Sequence, residues 1–412
     1  MSAASEPERK IRLAQALAIY LKIGLLSFGG PAGQIALMHD EIVERRRWVR
    51  DGDFANGLSV AMVLPGPEAQ QLATWLGWRL HGLAGGLAAG LAFILPGAAL
   101  MILLAWIAAA HGQMPLVAAV FYGIQPAVLV IVARAVVNLG RRALARPADW
   151  ALAGAAFGLL WGAGLPFPLI IGLAALAGLL LPPKAPPQPV AGAPFSAGQV
   201  ARTLAAGLGL IAAVWLGVRA LFGADPFDGI AYLFTTAAFV SFGGAYALLP
   251  YVAERAVEIY GWLTPAQMLN GLAIAEATPG PLILVTTYAG FFAGAGSGQG
   301  ALTAALATFY TFAPSFTLIL AVAPYVAAVE RQPLLRRALA GVSAAVVGVV
   351  LNLAVYLAEA ALMPAGPASL ERPKLALLAL FAAAALWRPW PMHVLVLAGA
   401  VAGLALLGAG AI

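Results

Sequence analysis

Two glutamates, a lysine and four breaks in apolar sequence mark where this chain could do chemistry. Glu68 directly follows Pro65-Gly66-Pro67, and Glu276 stands three residues before Pro279-Gly280-Pro281. Lys22 precedes Phe28-Gly29-Gly30-Pro31 by six residues, and a second copy of that break, Phe242-Gly243-Gly244, continues into Ala245. Ionisable groups in apolar segments are costly and by default line a pathway. A carboxyl group at such depth can exist in either protonation state, which makes Glu68 and Glu276 candidates for proton coupling. Lys22 could offset the charge of an anion. The plainer readings are a helix-start carboxylate stabilised by the dipole for Glu68, a buried hydrogen bond near Thr278 for Glu276, and snorkelling for Lys22.

The breaks carry their own chemistry. Glycine loosens a helix and proline cannot continue one. Pro31, Pro67 and Pro281 each fit the first position of a new helix, whose free N–H groups suit an anion. Non-helical backbone at membrane depth is tolerated only where it is buried in protein or lines a cavity. One such break reads as a kink; four in a repeated pattern read as a substrate cavity. Gln71 and Thr278, beside the breaks, could hydrogen-bond an oxyanion, and Gln70, Thr286 and Thr287 could do the same or join helices.

The elements that hold these residues follow from composition. The chain has 412 residues, 62% of them apolar and 10% charged. A soluble protein carries about 25% charged residues, so this one is a polytopic α-helical membrane protein. Runs at 84–110, 114–133, 299–327 and 339–358 are long enough to cross hydrocarbon. They are continuous rather than alternating, which excludes a β-barrel. The net charge of +6 sits in loops and orients the chain, so nucleic acid is not an expected partner. There is no cysteine, the four histidines are scattered, and no metal or cofactor is expected.

The chain repeats itself 214 residues on. Ser27-Phe28-Gly29-Gly30 matches Ser241-Phe242-Gly243-Gly244, Trp48 matches Trp262, Asn56-Gly57-Leu58 matches Asn270-Gly271-Leu272, and the two Pro-Gly-Pro motifs match in the same register. A proline-rich linker at about 182–199 separates a first repeat, 1–190, from a second, 191–412. The basic cluster at Arg45–Arg50 has no basic counterpart at 259–264, whereas the bare loop at 111–115 has one in Arg331, Arg336 and Arg337. Basic loops face the cytoplasm, so the repeats are expected to be inverted. The arm 54–64 spans roughly 16 Å against a core of about 30 Å. Each half is therefore expected to hold two re-entrant hairpins whose tips meet near the midplane, with full transmembrane helices around them. Trp48 and Trp262 then read as interface anchors, as do Arg79 and Arg219.

The segments "SFGGPAGQIALMHDEIVERRRWV", "VLPGPEAQQLATWLGWRLHG", "SFGGAYALLP" and "AEATPGPL" resemble the chromate ion transporter family in its long, two-domain form. The resemblance implies a multi-pass inner-membrane protein that exports chromate, a tetrahedral dianion, and confers chromate resistance, with sulfate as a competitor. Oxyanion uptake and an anion channel are the alternatives. An intramembrane enzyme would need a nucleophile and base or a metal at depth, and no such set stands out. The remaining partners are the lipid bilayer and, as an assembly the sequence leaves open, a second copy of the chain.

Overall fold

A computed structural model describes residues 11–28, 30–182, 196–242, 245–326, 332–388 and 390–412. Gly29, Gly243, Gly244 and the expected boundary near residue 190 lie outside the described residues. Every regular element among the described residues is a helix, apart from one isolated bridge at Pro364 and Gly366.

The first half runs α1 (Leu13–Leu26), α2 (Gly30–His39) with a π turn (Asp40–Arg45), α3 (Asp51–Ala61), α4 (Glu68–His111), α5 (Pro115–Ala143), α6 (Pro147–Trp161) and α7 (Phe167–Leu180). After α8 (Ala197–Phe222), the second half repeats the order. It runs α9 (Phe227–Val240), α10 (Ala245–Ala253) with a π turn (Glu254–Ile259), α11 (Pro265–Ala277), a short 3-10 turn (Leu282–Leu284) and α12 (Val285–Ala295). Then come α13 (Gly300–Val322), α14 (Pro333–Leu362), α15 (Arg372–Trp387) and α16 (Met392–Gly408). The ends of α1 and α9, and of the two π turns, coincide at the 214-residue offset. The repeat read in the sequence is thus a repeat of structure.

Helices α1, α3, α9 and α11 have 14, 11, 14 and 13 residues, about 16–21 Å, too short to cross the hydrocarbon core. They belong to hairpins. Lys22 Nζ lies 2.9 Å from Glu41 Oε1, although 19 residues of straight helix would set them roughly 28 Å apart; the chain has turned back on itself. Arg79, beyond the second break, donates to Asp53 Oδ2 at 2.8 Å in the first turn of α3. His81 Nε2 reaches the Ile11 carbonyl at 2.7 Å. At His81 and Gly82 the backbone leaves helical geometry, so α4 is a short hairpin arm followed by a long crossing helix.

Both first-half hairpins therefore open on the face that carries Arg45, Arg46, Arg47 and Arg50. Helix α8 starts on this face, because Tyr325 donates to Gln199 at 3.1 Å while Trp75 donates to the neighbouring Ala323 carbonyl at 3.2 Å. Its other end, roughly 39 Å away at 1.5 Å per residue, holds Asp228 in the first turn of α9 through Trp215 Nε1 (2.7 Å) and Arg219. Tyr260 and Trp262 stack there beside Gly229. The second-half hairpins open on the opposite face, and the repeats are inverted.

Helix α8 is long and apolar enough to cross a membrane, with Arg202 and Arg219 near its ends, but it has no counterpart in the first half. It adds the single crossing that turns one repeat over. The two halves are also interlaced. Helix α5 packs on α16, where an added Cβ at Gly403 would stand 1.9 Å from the Ala119 carbonyl and one at Gly123 2.1 Å from that of Gly399. Reciprocally, α14 packs on α7, where a Cβ at Gly341 would stand 2.2 Å from the Ala174 carbonyl. Small residues let membrane helices approach to backbone contact.

Two outcomes follow. With Glu44→Cys and its repeat mate Glu258→Cys made singly in this cysteine-free chain, membrane-impermeant thiol reagents label the two from opposite faces. Gly403→Val costs about 1–3 kcal/mol of stability by overpacking, read as a lowered unfolding temperature in detergent, whereas Gly217→Ala, at a glycine with open space around it, leaves the temperature unchanged.

Candidate functional site

Each break is completed by the opposite half. The Gly66 N–H donates to the Ser241 carbonyl at 2.8 Å, and the Gly280 N–H donates to the Ser27 carbonyl at 3.1 Å. These are the same bond exchanged across a pseudo-two-fold axis, as Ser27 and Ser241, and Gly66 and Gly280, are repeat mates. Phe28 and Phe242 adjoin these serines, so all four breaks converge between the halves as the sequence led us to expect. Gly66 and Gly280 have φ of 121° and 104°, a region where a side chain is strained. Gly66 packs on Ser315 of α13, and Pro279 and Gly280 pack on Gly97 of α4. A Cβ at Gly66 would stand 2.6 Å from Ser315 Oγ, and one at Gly97 would stand 2.5 Å from the Pro279 carbonyl.

The expectation of free N–H groups at the breaks needs correction in part. Those of Gly66 and Gly280 are consumed by the opposite half, because a buried amide without a partner is too costly to leave. Pro67 and Pro281 sit at the caps of α4 and of the 3-10 turn, one residue earlier than expected, while Pro31 lies in the first turn of α2. First-turn amides at Ala69–Gln70 and at Leu282–Ile283 still have no backbone acceptor within their helices.

Side chains complete the surroundings. Gln71 Nε2 donates to the Pro65 carbonyl (2.7 Å) and to Ser315 Oγ (3.0 Å). Gln34 Nε2 donates across the halves to the Gly280 carbonyl at 2.6 Å; it is a fully buried amide that sequence reasoning missed, although a lone glutamine in an apolar helix was the available signal. Thr278 Oγ1 turns back to the Ala275 carbonyl at 3.4 Å. Thr286 meets Thr311 at 3.0 Å and Thr287 meets Thr308 at 2.8 Å, so both join α12 to α13, and Gln70 bonds Thr74 at 2.8 Å.

The charged candidates separate. Glu276 is 3% exposed and accepts a hydrogen bond from Tyr246 Oη, linking the two hairpins of the second half. Their repeat mates are Met62 and Ala32, so this link exists in one half only. Glu68 is half-buried in the first turn of α4, within reach of the Arg142 charge. Lys22 is held by Glu41, which Arg46 also engages; it fastens the two arms of the first hairpin. Among the described residues no cluster of histidine and acidic side chains has metal-binding geometry.

A pair of broken-helix hairpins occurring twice, inverted and interlocked, is matched by the family model described as chromate transporter, which covers residues 14–179 and 229–404. The chain belongs to the chromate transporter family. The family model falls on the two structural repeats and leaves α8 out. A "probable chromate transport protein" of Synechococcus elongatus is 32% identical over 95% of both chains. The "chromate transport protein" of Pseudomonas aeruginosa is 33% identical over 82% of this chain and 79% of its own. That of Cupriavidus metallidurans is 29% identical over 90% of this chain and 88% of its own. No solved structure matches this family member.

Gly66→Ala places a methyl group against Ser315 and a side chain in the left-handed region. It costs roughly 1–3 kcal/mol, and Gly280→Ala costs a similar amount for the same backbone reason; both are measured by thermal unfolding in detergent against Gly154→Ala, where space is open.

Proposed function

We propose that this multi-pass protein carries chromate out of the cytoplasm across the inner membrane and thereby confers chromate resistance, with sulfate as a competing ligand. The observation that carries this reading is the reciprocal convergence of the four breaks, in a chain whose family and relatives bear the chromate name. The oxyanion is held between the halves by first-turn amides after Pro67 and Pro281, by the backbone of Phe28–Pro31 and Phe242–Gly244, and by Gln71 and Thr278. Helix starts favour anions because their N–H groups and dipoles both point outward.

Outward movement needs no other driving force. Two negative charges leaving a negative-inside cell release about 4.6 kcal/mol per 100 mV. A proton still has a use at the site: Glu276 in its bond with Tyr246, and Glu68 at the start of α4, can take up a proton as the dianion leaves. The Tyr246–Glu276 bond favours Glu276 for this role, since it ties together the two hairpins that close on the substrate.

In proteoliposomes, the protein moves chromate, and excess sulfate slows that flux. Flux varies with pH in the wild type; Glu276→Gln removes the variation while chromate still moves down its gradient. A mutant with an unaltered pH profile would take Glu276 out of the proton step, and vesicles that never accumulate or release chromate would end the transport reading.

A further inference from the structure

The inverted repeats should match in packing as well as in order, and at one place they do not. Helix α10 is buried along nearly its whole length, from Ala245 through Ala253, and packs against α14. Its repeat mate α2 buries only Gln34 and Met38 among its described residues, and has no comparable packing against α5. The difference continues to the breaks. Phe28 is 39% exposed while its mate Phe242 is half-buried, and Met62 is 54% exposed while its mate Glu276 is 3% exposed. The breaks are thus covered more closely from the second-half side than from the basic, first-half side.

Charged residues lie on the helices beside this unpacked side: Arg134 and Arg142 on α5, and Glu68 at the start of α4. Arg134 stands 19 residues into α5, in an otherwise uncharged stretch from Pro115 to Gly140. Its Nη1 donates to the Trp390 carbonyl at 3.1 Å, and no described carboxylate forms an ion pair with it. Its charge reaches Tyr246, the partner of Glu276. At the matching place, 218 residues on, α14 carries Asn352, so the cation belongs to one half alone. A cation at membrane depth without a carboxylate attracts anions from the adjoining water.

We propose that the cleft left open between α2 and α5 is the oxyanion's way in from the basic face, and that Arg134 is the cation that draws a tetrahedral dianion toward the breaks. This rests on the transport reading above. It adds which face the present conformation opens to and which residue receives the substrate first. The first-half mouth attracts the dianion, while its counterpart on the opposite face, lined by Glu254, Glu258 and Glu359, repels it.

The test is chromate flux in liposomes of phosphatidylcholine alone, so that no anionic headgroup occupies Arg134. Wild-type flux is the first readout, and its absence defeats the transport reading rather than this one. Given wild-type flux, Arg134→Gln raises the half-saturating chromate concentration about tenfold with a smaller effect on maximal rate, and Arg134→Lys restores most of the loss. Phosphatidylglycerol added to the wild type leaves the half-saturating concentration unchanged; a rise to the Arg134→Gln value would mean that the arginine is a lipid site. Independently, Met62→Cys is labelled by an impermeant thiol reagent from the Arg45–Arg50 face, and chromate slows the labelling. Unchanged half-saturation in Arg134→Gln, or labelling of Met62→Cys from the opposite face only, overturns the proposal.

Discussion

A peptide group stripped of its helical partner cannot be left bare in an apolar interior, and the architecture of this protein answers that constraint. Each half breaks two helices, and in each Pro-Gly-Pro break the glycine amide finds its acceptor in the other half. The Gly66 amide needs Ser241 and the Gly280 amide needs Ser27. The penalty for an unpaired buried backbone group therefore acts between halves and makes the two repeats one body. Glycine at 66 and 280 lets the backbone take the left-handed turn that aims those amides across the axis, and Gly97 and Ser315 are small enough to let the turns approach.

Near-symmetry of the backbone frames asymmetry of the side chains. The reciprocal bonds and the paired glycine contacts obey the repeat. The charges do not: Glu276 and Tyr246 face Met62 and Ala32, Arg134 faces Asn352, and Glu41, clamped by Lys22 and Arg46, faces Arg255. Folding constrains what the duplication shares and leaves the side chains near the two faces free to differ. An arrangement with equal charges at both mouths would admit substrate equally from either side.

Much of this was legible in the sequence because the repeat is unusually well punctuated. Matches such as Trp48 with Trp262 and Pro65-Gly66-Pro67 with Pro279-Gly280-Pro281 fixed the register, and the loop arginines gave the inversion. Short arms between breaks gave the hairpins. What could not be read is which residue of one half touches which residue of the other, since such contacts follow from three-dimensional packing rather than from spacing. That is why Gln34 went unnoticed and why the break amides looked free, while Tyr246 was hidden by packing of the same kind within its own half. Lys22 was legible as a membrane cation, but its partner Glu41 was hidden beyond a turn whose sharpness the sequence only implied. Helix α8 was missed because nothing in the first half corresponds to it.

The glycine contacts have a consequence for biosynthesis. Helix α5 is made early, yet the surface that fits its Gly123 belongs to Gly399 and Gly403 on α16, the last of the described helices. Helix α7 likewise waits for α14. As the chain leaves the ribosome, the first half must reside in the bilayer with a backbone-lined groove filled only by lipid, and it closes when the final helix inserts. Damage late in the chain would thus be felt first in the packing of its beginning.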